Sequence, residues 1–316
     1  MTECCRKRSV LVGIFVGTVV CGTEFWLGTI YGLGAPPLVT HQTAAGYRFL
    51  PDQHLRRFGK RIDYNSAGLR SEALRGPATE WIRILCLGDS VTNGGATTDQ
   101  ADTYPYQLER ELAHSGLKVQ TLNASAGGWA PANEAEFLRE QGLFGSTLVV
   151  WELGTHDLYG GFSNPDTDDP NFPERPPFSA TTELFSRYLL PRLVGTFRDD
   201  SPLPGPAYDE VERANCLMLL NSTAGMIRSR GAKLVFLLIP ESREFDEPNY
   251  AAVAKREFLL ETRRMKVPVI SPYEELLASR KVGRNPFRDA IHPNTLGNEI
   301  MAKAVAKYLL AAETVR

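Results

Sequence analysis

The sequence predicts a three-layer α/β/α domain, built on a doubly wound parallel sheet of about five strands and preceded by an N-terminal hydrophobic helix. From residue 82 onward, short and almost continuously apolar runs alternate with amphipathic helical segments. Strands that are apolar on both faces are typical of a parallel sheet covered by helices on both sides. The hydrophobic helix is predicted separately, by an apolar stretch near the beginning of the chain.

The apolar stretch covers residues 10–33 and carries one charge, Glu24. As a helix it would be about 36 Å long, enough to span a hydrocarbon core of about 30 Å. The basic cluster Arg6, Lys7 and Arg8 precedes it and favours a cytoplasmic N-terminus. We therefore expect a short cytoplasmic tail over residues 1–9 and a single-pass signal anchor over residues 10–34, with the main domain outside the cell membrane.

Two alternatives remain open for this stretch. The uncharged part before Glu24 has the length of the apolar region of a signal peptide, and cleavage would leave a secreted or periplasmic protein. The stretch could also form an amphipathic helix buried in the domain.

The rest of the chain divides at about residue 80. Residues 35–80 are predicted to be a linker and a small, mostly extended leader segment with a turn at residues 65–68. The main domain is predicted over residues 81–316. Its predicted strands are 82–87, 118–122, 147–153, 233–239 and 267–270, and its predicted helices are 103–114, 132–141, 208–230, 250–264 and 294–311.

A proline-rich insertion at about residues 159–207 follows the third predicted strand and interrupts this alternation. Long irregular loops inside compact domains are usually functional or disordered. We expect the insertion to be either a lid on the substrate side or an excursion over the surface.

Composition argues against several classes of protein. The chain has 35 Lys+Arg against 37 Asp+Glu, so no basic excess indicates a nucleic-acid partner. Its five cysteines follow neither a disulfide nor a zinc pattern, and we expect no metal site and no cofactor. The Gly88-Asp89-Ser90 turn also lacks the glycine-rich loop of a nucleotide-binding protein.

Polar motifs stand where strands end, and in such sheets the ligand binds at the carboxyl ends of the strands. The chemistry of acyl transfer needs a serine, a base to take its proton, an acid to orient the base and donors for the oxyanion. These motifs are Gly88-Asp89-Ser90, Asn123 with Gly127-Gly128, Gly154-Thr155-His156-Asp157, and Asp289-Ala290-Ile291-His292-Pro293-Asn294.

In this order, over residues 82–310, the motifs resemble those of the SGNH (GDSL-type) esterase and acylhydrolase superfamily, in its membrane-anchored bacterial type. The resemblance implies a flavodoxin-like parallel sheet. It also implies that Ser90 is the nucleophile, that His292 is the general base and that Asp289 is the partner of His292.

The resemblance further implies an oxyanion hole formed by the amides of Ser90 and Gly128, with Gly127 as the alternative to Gly128. The third motif departs from the family pattern Gly-x-Asn-Asp, because His156 stands where the family has an asparagine that donates to the oxyanion. An imidazole N–H can donate in its place, so we expect His156 to belong to the oxyanion hole. Loss of one such donor costs about 3 kcal/mol of transition-state stabilisation.

These motifs predict a serine hydrolase that cleaves a carboxylic ester through a Ser-His-Asp triad and an acyl-enzyme. The expected partner is an ester substrate, either an O-acetylated carbohydrate or a lipid or other acyl ester, and transfer to a sugar instead of water stays open. The alternative is a catalytically weak or inactive module of the same fold that binds a cell-envelope glycan or another partner.

Overall fold

The computed structural model describes residues 2–159, 161–194, 210–247 and 249–312. Helix α1 (Thr2–Trp26) continues as a π-helical segment, Leu27–Tyr31, and ends at Gly32, whose φ of 67° is left-handed. Within it, Gly13–Tyr31 has 19 residues and a mean hydropathy of 1.4, and is long and apolar enough to cross a membrane. A signal sequence fits the same description. Only 6% of this window is buried, so the buried amphipathic helix is the wrong alternative.

The leader segment, predicted only as mostly extended chain, forms two small antiparallel hairpins. The predicted turn is confirmed, because the Gly68 amide donates to the Asn65 carbonyl at 2.9 Å. The strands are β1 (Val39–Thr40) with β2 (Arg48–Phe49), and β3 (Gln53–Arg57) with β4 (Lys60–Tyr64).

The main domain contains the predicted parallel sheet of five strands, in the order β6-β5-β7-β8-β9. In the register of the sheet, Gly88 pairs with Ser125 and Gly154 with Ile239, so the polar motifs that follow these strands meet at one edge. The strands are β5 (Ile82–Gly88), β6 (Val119–Ser125), β7 (Leu148–Gly154), β8 (Lys233–Ile239) and β9 (Val269–Ile270).

Helices cover both faces of the sheet, and four of them are absent from the sequence-based expectation: α2 directly after β5, α5 and α6 inside the insertion, and α9 after the last strand. The predicted end of the insertion, residues 195–207, and the predicted helix start at Tyr208 lie outside the described residues. The helices are α2 (Ser90–Asn93), α3 (Tyr104–His114), α4 (Pro131–Gln141), α5 (Ala180–Glu183), α6 (Leu190–Leu193), α7 (Glu210–Ser229), α8 (Ala252–Met265), α9 (Tyr273–Lys281) and α10 (Thr295–Ala311).

The sheet separates two apolar cores because successive side chains along a strand point to opposite faces. Ile84 and Val150 pack with Leu108 of α3 and Val305 of α10 on one side. On the other side, the buried residues include Leu85, Trp151, Phe236, Leu138 of α4, Leu220 of α7 and Phe258 of α8. The predicted three-layer α/β/α architecture is therefore confirmed.

The leader is attached to the main domain through a buried arginine. Arg70 is 2% exposed, and its guanidinium donates to the carbonyl oxygens of Asn93 and Gly95 at 2.6 Å and of Thr98 at 2.7 Å. These carbonyls belong to the last residue of α2 and to the loop that follows it. Arg70 thus holds the segment directly after Ser90.

Replacement of Arg70 by alanine is expected to lower the free energy of unfolding by about 3 kcal/mol, because three buried carbonyls lose a charged donor. Equilibrium denaturation in urea measures the change. Arg56 is exposed and offers a matched control, and Arg56→Ala should have little effect. Equal midpoints for the two variants would contradict the expected role of Arg70.

Candidate active site

A tight strand-to-helix turn presents Ser90 at the carboxyl edge of the sheet. Strand β5 ends at Gly88, and Asp89 caps α2 by accepting the Val91 amide at 2.7 Å. A side chain at Gly88 has no room, since a Cβ there would lie 2.3 Å from the Thr92 hydroxyl oxygen. Ser90 is consequently the first residue of α2.

Three residues that are distant in sequence form a continuous hydrogen-bonded chain. The Ser90 Oγ lies 2.9 Å from the His292 Nε2, and the His292 Nδ1 lies 2.8 Å from the Asp289 Oδ2. A proton on Nδ1 directed at Asp289 leaves Nε2 free to accept the serine proton. Ser90 Oγ also lies 3.3 Å from Asp89 Oδ2, a longer contact than that to His292.

Asp289 is held as a carboxylate by its surroundings. Burial favours its neutral form, but donation from the His292 ring and from the amides of His292 and Ile291 outweighs burial and places the pKa of Asp289 well below its usual value. The two amides lie 2.7 Å and 3.0 Å from Oδ1. The carboxylate therefore both orients the ring and stabilises positive charge on it.

The glycine turn after β6 lies beside the serine. A Cβ on Gly127 would be 4.0 Å from the Ser90 Cβ, and Gly128 has a φ of 77°. The Tyr47 hydroxyl donates to the Gly127 carbonyl and holds the turn. Among the described residues, the amides of Ser90, Gly127 and Gly128 have no hydrogen-bond acceptor. They are the backbone donors of this edge that an oxyanion can use.

The insertion reaches this turn. The Ser163 amide donates to the Asn133 Oδ1 at 2.9 Å, and its carbonyl accepts from the Asn133 Nδ2 at 2.6 Å. A Cβ on Gly128 would lie 3.9 Å from the Ser163 Oγ. The first part of the insertion is therefore packed beside the glycine turn.

His156 is directed at Asp89 in the structure. Its Nε2 lies 3.2 Å from the Asp89 Oδ2 and 3.7 Å from the Asp157 Oδ1, and its Nδ1 lies 4.0 Å from the Glu241 Oε1. The ring folds back over Gly154, where a Cβ would be 2.3 Å from the His156 Cε1. The expected contact of this ring is with an oxyanion, whereas the contact present is with the carboxylate of Asp89, next to Ser90.

The environment of His156 favours its charged form. Burial lowers the pKa of His156, but the charges of Asp157 and Asp89 outweigh burial and raise it to about 10. Burial raises the pKa of Asp89, yet His156 holds that pKa below its usual value.

Ligand atoms of Asp89, His156 and Asp157 lie within 4.8 Å of one another, close enough to surround a cation. In its protonated form His156 supplies one positive charge beside the carboxylates of Asp89 and Asp157.

The melting temperature should therefore fall as pH rises between about 6.5 and about 10, the ordinary and folded pKa values of His156. In that window the folded protein keeps a proton that the unfolded chain has lost, and this contribution to stability disappears as pH approaches the folded pKa. His156→Gln should flatten the fall. Scanning fluorimetry across this range measures it, with the exposed His54→Gln as control. Parallel curves for wild type and His156→Gln would contradict the ion pair.

Sequence reasoning missed the buried acids beneath the site. Glu152, in the middle of β7, accepts from the Thr92 hydroxyl at 2.9 Å, and Glu134 accepts from the indole of Trp151. Burial raises the pKa of both acids well above the usual value. An acid inside an otherwise apolar strand is the signal that marks Glu152.

The model of the GDSL-like lipase/acylhydrolase family matches residues 86–300, a range that includes all of the residues described above from Ser90 to His292. No curated protein matches the sequence.

Solved structures with a similar chain path include a member of the lipolytic G-D-S-L family from Veillonella parvula. It is 13% identical, with 72% of this chain and 98% of that chain covered and a TM-score of 0.45. A GDSL-like lipase from Bacteroides thetaiotaomicron is 16% identical, covering 76% and 93% of the two chains, with a TM-score of 0.45. A variant of an acetyl-xylooligosaccharide esterase from Geobacillus Stearmophilus is 12% identical, covering 71% and 92%, with a TM-score of 0.45. By the family match over more than half of its length, this chain belongs to the GDSL-like lipase/acylhydrolase family and is a hydrolase of the SGNH type.

Proposed function

We propose that the protein cleaves a carboxylic ester by covalent catalysis, with Ser90 as nucleophile, His292 as general base and Asp289 as the residue that orients and charges the base. The observation that carries the proposal is the chain of contacts Ser90 Oγ–His292 Nε2 at 2.9 Å and His292 Nδ1–Asp289 Oδ2 at 2.8 Å. Such a chain is what a serine hydroxyl needs to become nucleophilic at neutral pH.

In the first half-reaction, Ser90 Oγ attacks the acyl carbon while its proton passes to the His292 Nε2. The tetrahedral intermediate then collapses, and the imidazolium returns the proton to the leaving alcohol, which yields the acyl-enzyme. In the second half-reaction, water attacks the acyl carbon with His292 again as base, and Ser90 leaves with its proton restored. An acceptor sugar in the place of water would give acyl transfer by the same steps.

The proposed oxyanion hole consists of the amides of Ser90 and Gly128, with Gly127 as the alternative, and of His156. The support for the backbone donors is that these amides have no acceptor among the described residues. His156 contributes as an imidazolium beside Asp89, where its positive charge offsets the negative charge that Asp89 places near the reacting oxygen. This arrangement differs from the neutral asparagine donor of the family pattern.

Two substrate classes fit an ester hydrolase of this family, an O-acetylated carbohydrate and a lipid or other acyl ester. An assay of the purified full-length protein on 4-nitrophenyl acetate, butyrate and dodecanoate tests the proposal and compares the acyl lengths. Hydrolysis that is lost in His292→Ala supports it. Equal rates for wild type and His292→Ala would overturn it, and no hydrolysis with retained binding of an acetylated glycan would favour a binding module.

For the location of the protein, we propose a cytoplasmic tail over residues 1–9, a single-pass anchor over residues 10–34, the leader over residues 35–80 and an extracytoplasmic hydrolase domain over residues 81–316 with its insertion at 159–207. Contacts of the end of α1 with the domain favour a retained anchor over a cleaved signal peptide. Leu27 and Leu33 are buried in a cluster with Ala180 of the insertion, and cleavage beyond residue 33 would remove both leucines.

A further inference from the structure

The insertion contains a helix over residues 180–193, made of α5, a π-helical segment Leu184–Leu189 and α6, and we call it the insertion helix. Its first turn is capped by Glu24 of α1. The Glu24 carboxylate accepts from the Ala180 amide, from the Thr181 amide at 3.1 Å and from the Thr181 hydroxyl at 2.7 Å. A carboxylate at this end of a helix meets its unpaired amides and its positive dipole. Glu24, the only charged residue of the apolar stretch, thus binds the insertion helix to α1.

A buried ion pair strengthens this attachment. Arg57 of the leader and Glu183 of the insertion helix form a salt bridge in which the side chains are 0% and 4% exposed. Glu183 also accepts from the Gly34 amide at 2.6 Å, and Arg57 donates to the Gly32 carbonyl at 2.7 Å. The chain leaving α1, the leader and the insertion helix are therefore joined at one point. Since separating a buried ion pair would leave uncompensated charges, the three segments hold a defined arrangement.

One face of the insertion helix packs on this junction and the other is apolar and exposed. Leu184 and Tyr188 contact the cluster that contains Leu27 and Leu33. Phe185, Leu189 and Leu193 follow each other at four-residue intervals and are 51%, 43% and 76% exposed. Two further apolar residues, Leu190 and Val194, are also exposed. An apolar face of this extent on a short helix is typical of a surface that has a partner.

Aromatic side chains connect the exposed face with the end of α1. The ring centroids of Trp26 and Tyr31 are 4.9 Å apart, those of Tyr31 and Phe58 are 6.4 Å apart, and those of Phe58 and Tyr188 are 6.1 Å apart. The same four residues line a groove of about 370 Å³ between α1 and the insertion helix. Tryptophan and tyrosine prefer the headgroup level of a bilayer. The row of rings therefore marks the height at which α1 would leave the membrane.

We propose that the exposed face of the insertion helix, with this groove, rests on the lipid surface around the anchor and forms a second membrane contact of the domain. Lipid is the expected partner of this face because the face is continuous with α1. The aromatic row joins the two, and the exposed apolar side chains of a membrane-spanning α1 would contact lipid. This inference rests on the proposed anchor but not on the proposed hydrolysis.

The contact has a consequence for the site. The insertion runs from Ser163, beside the glycine turn, to the insertion helix, so one segment links the wall of the site to the lipid surface. A domain held at a single point on an anchor can tilt freely, whereas two contacts restrict its orientation. The site is then held at a constant height above the bilayer, which favours ester substrates presented at that surface.

Fluorescence quenching in liposomes tests the proposal with the full-length protein. Cys4, Cys5 and Cys21 are replaced by serine, and the remaining Cys86 and Cys216 are buried. A nitrobenzoxadiazole label is attached at Leu189→Cys or, as a second position, at Leu193→Cys. The control is Val282→Cys, an exposed apolar position at the end of α9. Vesicles of phosphatidylcholine and phosphatidylglycerol carry doxyl-labelled lipid, and iodide serves as the aqueous quencher.

At positions 189 and 193 we expect a blue-shifted emission that is quenched by doxyl lipid and not by iodide. At position 282 we expect no blue shift, and quenching by iodide and not by doxyl lipid. If the protein floats with the vesicles but positions 189 and 193 respond like position 282, the lipid contact is overturned and the anchor stands. Failure to float overturns both membrane proposals. Turnover of a soluble ester by the same samples reports separately on the hydrolase.

Discussion

Ester hydrolysis by Ser90→Ala is expected to fall by a factor on the order of 10⁴ to 10⁶ in kcat, because the variant has no nucleophile to form the acyl-enzyme. The loss should be in kcat, with KM little changed, since the methyl group leaves the pocket and the oxyanion donors in place. Initial rates on 4-nitrophenyl acetate measure it. The exposed Ser66→Ala is the matched control and should retain the wild-type rate.

A rate for Ser90→Ala within tenfold of the wild-type rate would show that another residue is the nucleophile. Circular dichroism of the variant separates this outcome from misfolding. Ser90 Oγ contacts Asp89 and His292, which are both held by other hydrogen bonds, so the variant should fold as the wild type does.

The second large effect is expected for Asp289→Asn, which should lower kcat by a factor on the order of 10³ to 10⁴. The amide removes the negative charge that stabilises the imidazolium, and it no longer selects the tautomer whose Nε2 accepts the serine proton. His54 and Asp63 provide a matched control, because they form a surface pair with 3.2 Å between Nδ1 and Oδ1. Asp63→Asn should therefore leave kcat unchanged.

The two triad variants should also be non-additive. Once His292→Ala has removed the base, Asp289 has no ring to orient, so the double variant should be no slower than His292→Ala alone. If the factors by which the two single variants lower kcat multiply in the double variant, Asp289 acts independently of His292.

The sheet was predictable from sequence because its strands are apolar on both faces and alternate with helices. The convergence of Ser90 and His292 follows from the same pattern, since both motifs are predicted at the carboxyl ends of the strands. Helix α9 was missed, although Glu274 and Glu275 in its first turn and Arg280 and Lys281 in its last are typical helix-end residues.

The leader hairpin of β3 and β4 was harder to predict. Its two turn residues, Phe58 and Gly59, have φ values of 48° and 75°. The turn of a two-residue hairpin of this kind usually has the sequence Asn-Gly or Asp-Gly. Because this turn has phenylalanine at the first position, its sequence does not indicate a hairpin. In the structure Phe58 packs between the rings of Tyr31 and Tyr188, so tertiary packing overrides the local turn preference at this position.

The orientation of His156 could not be predicted from the motif. Its place in the sequence matches the oxyanion asparagine of the family, but its direction depends on the glycine before it and on three carboxylates from different segments. Gly154 leaves room for the ring, and Asp89, Asp157 and Glu241 attract it. The contacts with Asp89 and Glu241 are long-range, and no local pattern encodes them.

Covalent labelling locates the reactive group without assuming a substrate. The folded full-length protein is treated with a fluorophosphonate, digested and mapped by mass spectrometry, with a well-behaved serine hydrolase in the same tube as a positive control. We expect a single adduct on the peptide that contains Ser90, absent from His292→Ala and from protein unfolded beforehand. An adduct on a different serine, or none while the control enzyme is labelled, would show that Ser90 is not activated by His292.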